Sequence, residues 1–69
     1  MGELEKRVGE CIRALREEKG MHAKEFIGVA PTHLSRIENG HVSARLETLA
    51  LIAKALKVDV ADLIPKELR

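Results

Sequence analysis

Apolar residues recur at Leu4, Val8, Cys11, Ile12 and Leu15, and these spacings of four, three, one and three predict an inward-facing stripe on a helix over residues 3 to 19. Gly20 closes that helix. A short second helix is predicted from about His22 to Ile27, with Phe26 and Ile27 inward and Lys24 and Glu25 outward, followed by a Gly28-Val29 turn. Pro31 suits the first position of a third helix, where its missing N–H costs nothing, and Leu34 and Ile37, three apart, pin one side of it. Gly40 stops this helix as a residue free to take the left-handed conformation. After a polar loop, Leu46, Leu49, Ile52, Ala53 and Leu56 make the apolar face of a fourth helix. Asp59 is placed as the N-cap of a last short helix through Ile64, with Asp62 three residues on, and Pro65 ends it ahead of a short charged tail, residues 65–69. There is no strand alternation, internal repeat or low-complexity tract. The expected architecture is all-α, a compact five-helix bundle forming one domain over residues 1–69 with its core at about 4–64.

The polar side of the third helix carries the candidate chemistry. With Leu34 and Ile37 turned inward, Thr32, His33, Ser35, Arg36 and Asn39 point elsewhere, and a helix with one anchored face and one compact polar face can enter a DNA major groove. Ser and Thr hydroxyls can donate or accept, while the Arg36 guanidinium can fork onto guanine or pair with phosphate.

Composition removes other classes. A chain of 69 residues has a marginal core and little room for an enzyme cleft. No Ser/His/Asp grouping or Gly-rich phosphate loop is present, so the expectation is that the chain is not an enzyme. One Phe with no Trp or Tyr argues against aromatic platforms for single strands or RNA, leaving duplex DNA open. Cys11 is alone, which rules out an intrachain disulfide, and its place on the inward stripe predicts a buried, inert thiol. The three histidines lie on different elements without carboxylate clusters, so no metal and no cofactor are expected, although His33 or His41 could strengthen DNA binding on becoming cationic in mild acid. Nothing resembles a signal peptide or a bilayer span, and a cytoplasmic location is expected.

Charge is less informative. The net value is +1, and residues 1 to 20 balance five acids against five bases, which reads as a solvated helix surface laced with ion pairs. Any positive field must come from arrangement.

Residues from about Val8 to Ile64 resemble the Cro and phage-repressor (XRE) type of helix-turn-helix domain, the lambda-repressor-like fold. The matching stretches are Ile12 to Gly20, Leu34 to Gly40, Leu46-Glu47-Thr48-Leu49 with Ile52 to Leu56, and Val58-Asp59 with Asp62-Leu63. The resemblance implies that the third helix, about residues 31–39, reads double-stranded DNA. It places Thr32, His33, Ser35, Arg36 and Asn39 toward base edges or phosphates, and the backbone amides of Asn39, Gly40 and His41 near the sugar-phosphate chain. Arg45 completes the candidate DNA-binding set. It further implies a transcriptional regulator, repressor-like, acting as a homodimer on an inverted repeat, with no small-molecule effector.

Departures from the pattern are specific. His22 and Ala23 replace the usual Thr-Gln opening of the second helix, and the segment between Phe26 and Gly28 is about three residues short, close to one helical turn. A shortened second helix is expected. Ala30 and Arg45 stand where capping hydroxyls are common, and Lys57 replaces the Gly that ordinarily ends the fourth helix. Leu51 lies opposite the apolar face of that helix, so it is placed, with Ala55 or the last helix, in a candidate dimer interface. The competing reading is a helical protein-interaction module that has kept the fold and lost its DNA contacts.

Overall fold

The computed structural model describes residues 2–69. Three α-helices, α1 (Glu3–Glu18), α2 (Pro31–Glu38) and α3 (Leu46–Leu56), are joined and extended by three short 3₁₀ turns at Ala23–Glu25, Val60–Leu63 and Lys66–Leu68. The two remaining helices of the expected five are therefore 3₁₀ turns, for a local reason. In the first, the amides of Glu25 and Phe26 bond back three residues, to His22 and Ala23, and Gly28 at φ +85° reverses the chain before an α-helical turn can close. In the second, Asp62 and Ile64 bond back three residues to Asp59 and Ala61, and Pro65 has no N–H with which to continue. The Asp59 N–H donates to Asp62 Oδ2 at 3.1 Å, as the Asp-x-x-Asp spacing anticipates.

The core consists of Ile12, Phe26, Val29, Leu34, Ile37, Ile52, Ala53, Leu56 and Leu63. Val8, Leu15 and Leu49 pack around it half-buried. Three residues expected inside are exposed. Leu4 and Leu46 occupy the first turns of α1 and α3, which project past the core, and Leu4 lines a shallow apolar recess with Val8, Val42, Leu49 and Leu68. Ile27 is 85% exposed, because it precedes Gly28 at the tip of a turn closed by the Val29 amide on the Phe26 carbonyl. Cys11 is half-buried, not fully inside, and borders a recess with Arg7, Ala14 and Pro65.

The C-terminal residues fold back on the domain. Pro65 is buried, Arg7 pairs with Glu67, and Arg69 Nε donates to the Ile64 carbonyl at 2.9 Å.

All three helices end with the same pair of hydrogen bonds. Gly20, Gly40 and Lys57 each donate to the carbonyl three residues back, and the following residue donates to the carbonyl five back. This motif needs a left-handed residue, and φ is +66°, +74° and +60° at the three positions. Lys57 is the one non-glycine residue with positive φ among the described residues, so α3 ends on a left-handed lysine, which is strained, where the sequence replaces the usual glycine. Neither Ala30 nor Arg45 supplies a side-chain cap to the helix it precedes.

The seating of α2 against α1 depends on a residue without a side chain. Gly9 is buried in the middle of α1, and a Cβ built there would lie 2.6 Å from the Glu38 carbonyl oxygen and closer still to that of Ile37. The last turn of α2 thus rests directly on the α1 backbone.

Candidate nucleic-acid interface

Pro31 at N1 starts α2 and the Gly40 motif stops it, leaving eight residues whose orientation is set by Leu34 and Ile37 in the core. Thr32, His33, Ser35, Arg36 and Asn39 are all exposed, with Thr32, Ser35, Arg36 and Asn39 opposite the buried residues and His33 on the flank beside Ile37. His41 and Arg45 are exposed in the segment that follows. Gly40 is buried, and a Cβ there would meet Lys6 Cα at 2.8 Å, so close approach to α1 and positive φ both demand glycine. The amides of Asn39, Gly40 and His41 are bonded to the carbonyls of Ser35, Ile37 and Arg36 at 3.0, 3.0 and 2.9 Å. They serve the helix end before they serve any ligand.

A buried ionic hub holds this helix in place. Glu38, directly after the buried Ile37, has a side chain only 5% exposed. Arg16 reaches it with a two-pronged contact, Nε to Oε2 at 2.7 Å and Nη2 to Oε1 at 3.1 Å, and donates Nη1 to the Met21 carbonyl at 3.0 Å. One guanidinium therefore ties α1, the start of the helix-turn-helix segment and the end of α2 together. The hydrogen bond to Glu38 raises the Arg16 pKa above its ordinary value despite the opposing effect of burial. Arg13 lies beside the same carboxylate at 3.4 Å and donates Nη2 to Asn39 Oδ1 at 2.7 Å.

Sequence reasoning took Arg13 and Arg16 as part of a solvated helix surface, and it gave no role to Glu38 or Gly9. The ion pairs on α1 run to other elements of the fold: Arg7 to Glu67, and Arg13 and Arg16 to Glu38. A weak signal was available: Arg16 lies four residues after Ile12, at the margin of the inward stripe, and Glu38 directly follows the buried Ile37. By contrast, Arg36 and Arg45 have no carboxylate within ion-pair distance among the described residues.

Leu51 is 40% exposed and is partly covered by the Gly28 turn, where a Cβ would come within 3.1 Å of its Cδ1. With Ile27 and Ala55 it lines a shallow recess edged by Glu25, Lys54 and Lys57. The structure thus brings Leu51 and Ala55 together on a surface that also includes Ile27. Among the described residues no group of three or more His, Cys, Asp or Glu side chains is placed to hold a metal ion, and no helix is long and apolar enough to cross a membrane.

An exposed polar helix held by two core residues and an ionic hub, preceded by a tight turn, is the arrangement of a helix-turn-helix. A sequence model of the helix-turn-helix family matches residues 12–63, from the core of α1 through the second 3₁₀ turn. The chain belongs to this family, of the XRE type that its motifs resemble. It is 36% identical over 58 residues to the HTH-type transcriptional regulator DdrOP3 of Deinococcus deserti, a match covering 80% of this chain and 45% of that protein. The chain therefore spans less than half the length of this curated relative. Its fold is similar to the crystal structure of the clp gene regulator ClgR from C. glutamicum, with a TM-score of 0.81 at 32% identity, covering 91% of this chain and 86% of that one.

Proposed function

We propose that this chain is the sequence-specific, double-stranded DNA-binding domain of a transcriptional regulator, repressor-like in action, with α2 in the major groove. The observation that carries this reading is the state of Arg36. Arg7, Arg13 and Arg16 are engaged with acidic side chains, whereas Arg36, in the last turn of α2, stands exposed and without an ion pair among the described residues. Thr32, His33 and Ser35 flank it as readers of base edges or phosphates. Asn39, His41 and Arg45 serve the sugar-phosphate chain, and Gly40 contributes the turn that brings them there.

Function as a homodimer on an inverted repeat belongs to the same proposal, since paired recognition helices need half-sites about 34 Å apart. The surface assigned to pairing is Leu51 and Ala55, extended by Ile27. Leu51→Glu is expected to abolish association in sedimentation, and unchanged association would remove this surface from consideration. The domain would act in the cytoplasm with the DNA it reads, by binding and not by catalysis, and without a small-molecule effector.

The test of the central reading is Arg36→Ala in a binding titration against duplex DNA. The expected loss is about 1–3 kcal/mol, with relaxed base preference at one position per half-site. Equal affinity for all duplex sequences, in both proteins, would reject specific readout. The exposed Ile27 on the shortened second element favours the interaction-module reading, which predicts no sequence-selective duplex binding.

A further inference from the structure

The shortened second element puts an apolar side chain where water reaches it. Ile27 stands at the tip of the turn, more exposed than Leu4, Leu46, Leu51 or Leu68. Beside it, Gly28 meets α3 closely enough that a Cβ there would lie 3.1 Å from Leu51 Cδ1, yet Leu51 itself stays partly open to solvent. A single exposed leucine is ordinary on a protein surface. Here Ile27, Leu51 and Ala55 line one recess together, which makes a contiguous apolar patch.

The charges around this recess set it apart from the other two. Glu25, Lys54 and Lys57 line it, and none of the three forms an ion pair among the described residues. Glu25 accepts the His22 N–H on Oε2 at 2.7 Å, and a carboxylate has capacity to accept more. The recess of Leu4, Val8 and Leu68 has Glu5 as its one charged lining residue, already bonded to Ser43. Beside Cys11, Arg7 and Glu67 neutralise each other. The Ile27 face thus combines an apolar centre with unpaired charges of both signs. A surface of that kind can match a copy of itself, because under a twofold axis an acid of one chain can face a base of the other.

We propose that two copies of the chain pair isologously through this face, with Ile27 of each seated against Leu51 and Ala55 of the other, and Glu25 of each paired with Lys54 or Lys57 of the other. This rests on the reading that the chain acts as a homodimer through Leu51 and Ala55, and it adds the plug and the charges that fix the register. One lysine of each chain is left over and stays hydrated at the polar rim.

The experiment is sedimentation over a concentration series with wild type, Ile27→Ser, Glu25→Lys and the double variant Lys54→Glu/Lys57→Glu. The wild type is expected to dimerise. Ile27→Ser should weaken the dimer by about a hundredfold or more, since twofold symmetry removes two buried isoleucines at once. Its thermal midpoint at concentrations where the wild type is monomeric should not change, because Ile27 is exposed in the single chain. Glu25→Lys and the double lysine variant should each be monomeric alone and form a one-to-one heterodimer when mixed. Persistence of the dimer in Ile27→Ser, or failure of the two folded charge variants to pair, would overturn the proposal, and Leu51→Glu then shows whether the same surface pairs in another register. Should Glu25→Lys fail to fold, Glu25→Gln takes its place, since it keeps an oxygen for the His22 amide. It should weaken association and lessen its dependence on salt, and unchanged association would overturn the charge pairing. A wild type that stays monomeric throughout would overturn both this proposal and the homodimer reading beneath it, and would leave the lysine-edged face to an acidic partner.

Discussion

Replacing Gly9 by alanine tests the seating of the recognition helix most sharply, because the substitution improves the local helix and damages only its contact with α2. Alanine in a helix interior is favoured over glycine by about 1 kcal/mol. Against this, the added Cβ would fall 2.6 Å from the Glu38 carbonyl oxygen and 2.9 Å from its carbonyl carbon. Ordinary carbon-to-oxygen contacts begin near ~3.3 Å and the Ile37 carbonyl oxygen is closer than that of Glu38, so the two helices must separate by about 1 Å. The obstructing atoms are backbone and cannot rotate aside. Moving them disturbs Ile37 in the core and the Arg16–Glu38 pair at once. Overpacking of this kind costs about 1–3 kcal/mol, and the rigidity of both partners places the net loss near ~2 kcal/mol after the propensity gain. For a domain of this size that lowers the thermal midpoint by roughly 8–16 °C, measured by far-ultraviolet circular dichroism. Glu10→Ala, exposed on the same helix, is the control and should change stability by less than about 0.5 kcal/mol. A Gly9→Ala midpoint equal to or above that of the wild type would refute the reasoning.

Three further outcomes follow from other sites. Lys57→Gly relieves the left-handed strain at the end of α3 and should stabilise by about 1 kcal/mol in urea unfolding; no gain would mean that the lysine is not strained. Glu38→Ala leaves Arg16 partly buried without its carboxylate and should cost about 3 kcal/mol in the same assay, whereas a loss below about 1 kcal/mol would deny the hub its role. Glu5 has its pKa lowered below the ordinary 4.5, chiefly by its own backbone amide in the first turn of α1 and then by the Ser43 hydroxyl, which donates to Oε2 at 2.9 Å. Because the folded value is depressed, its stabilisation is complete above the unfolded pKa and disappears as pH falls through the folded one. Glu5→Gln should therefore flatten the decline of the denaturation midpoint on acidification below pH 4.5, and an unaltered pH profile would contradict that assignment.

Much of the fold could be read from the chain because its main signals are local. The stripe around Ile12, the Pro31 and Gly40 boundaries of α2 and the Ile52–Leu56 face each depend on residues within a few positions of one another. The shortness of the second element was also legible, but its 3₁₀ character was not, since helix type depends on whether one more hydrogen-bonded turn can close before Gly28 or Pro65. Leu4, Ile27 and Leu46 were misplaced for a related reason: periodicity gives a direction around an axis and says nothing of where the core ends along it.

The parts of the site that escaped are tertiary. Arg16 and Glu38 are 22 residues apart, and a charged residue on an amphipathic helix defaults to solvent until its partner is known. Arg13 and Asn39 are 26 apart and were assigned to different surfaces. Gly9 contributes through the absence of a side chain, which a pattern of apolar and polar positions does not register. The outward set on α2 was legible because two buried residues three apart determine where everything else on a short helix must point.

The central claim is that this outward set reads duplex DNA. Selection of bound sites from a random duplex library measures it most directly, with wild type and Arg36→Ala in parallel. The account predicts an enriched inverted repeat for the wild type and loss of preference at one position in each half-site for the variant. Recovery of no enriched motif by a wild-type protein shown to be folded would contradict it.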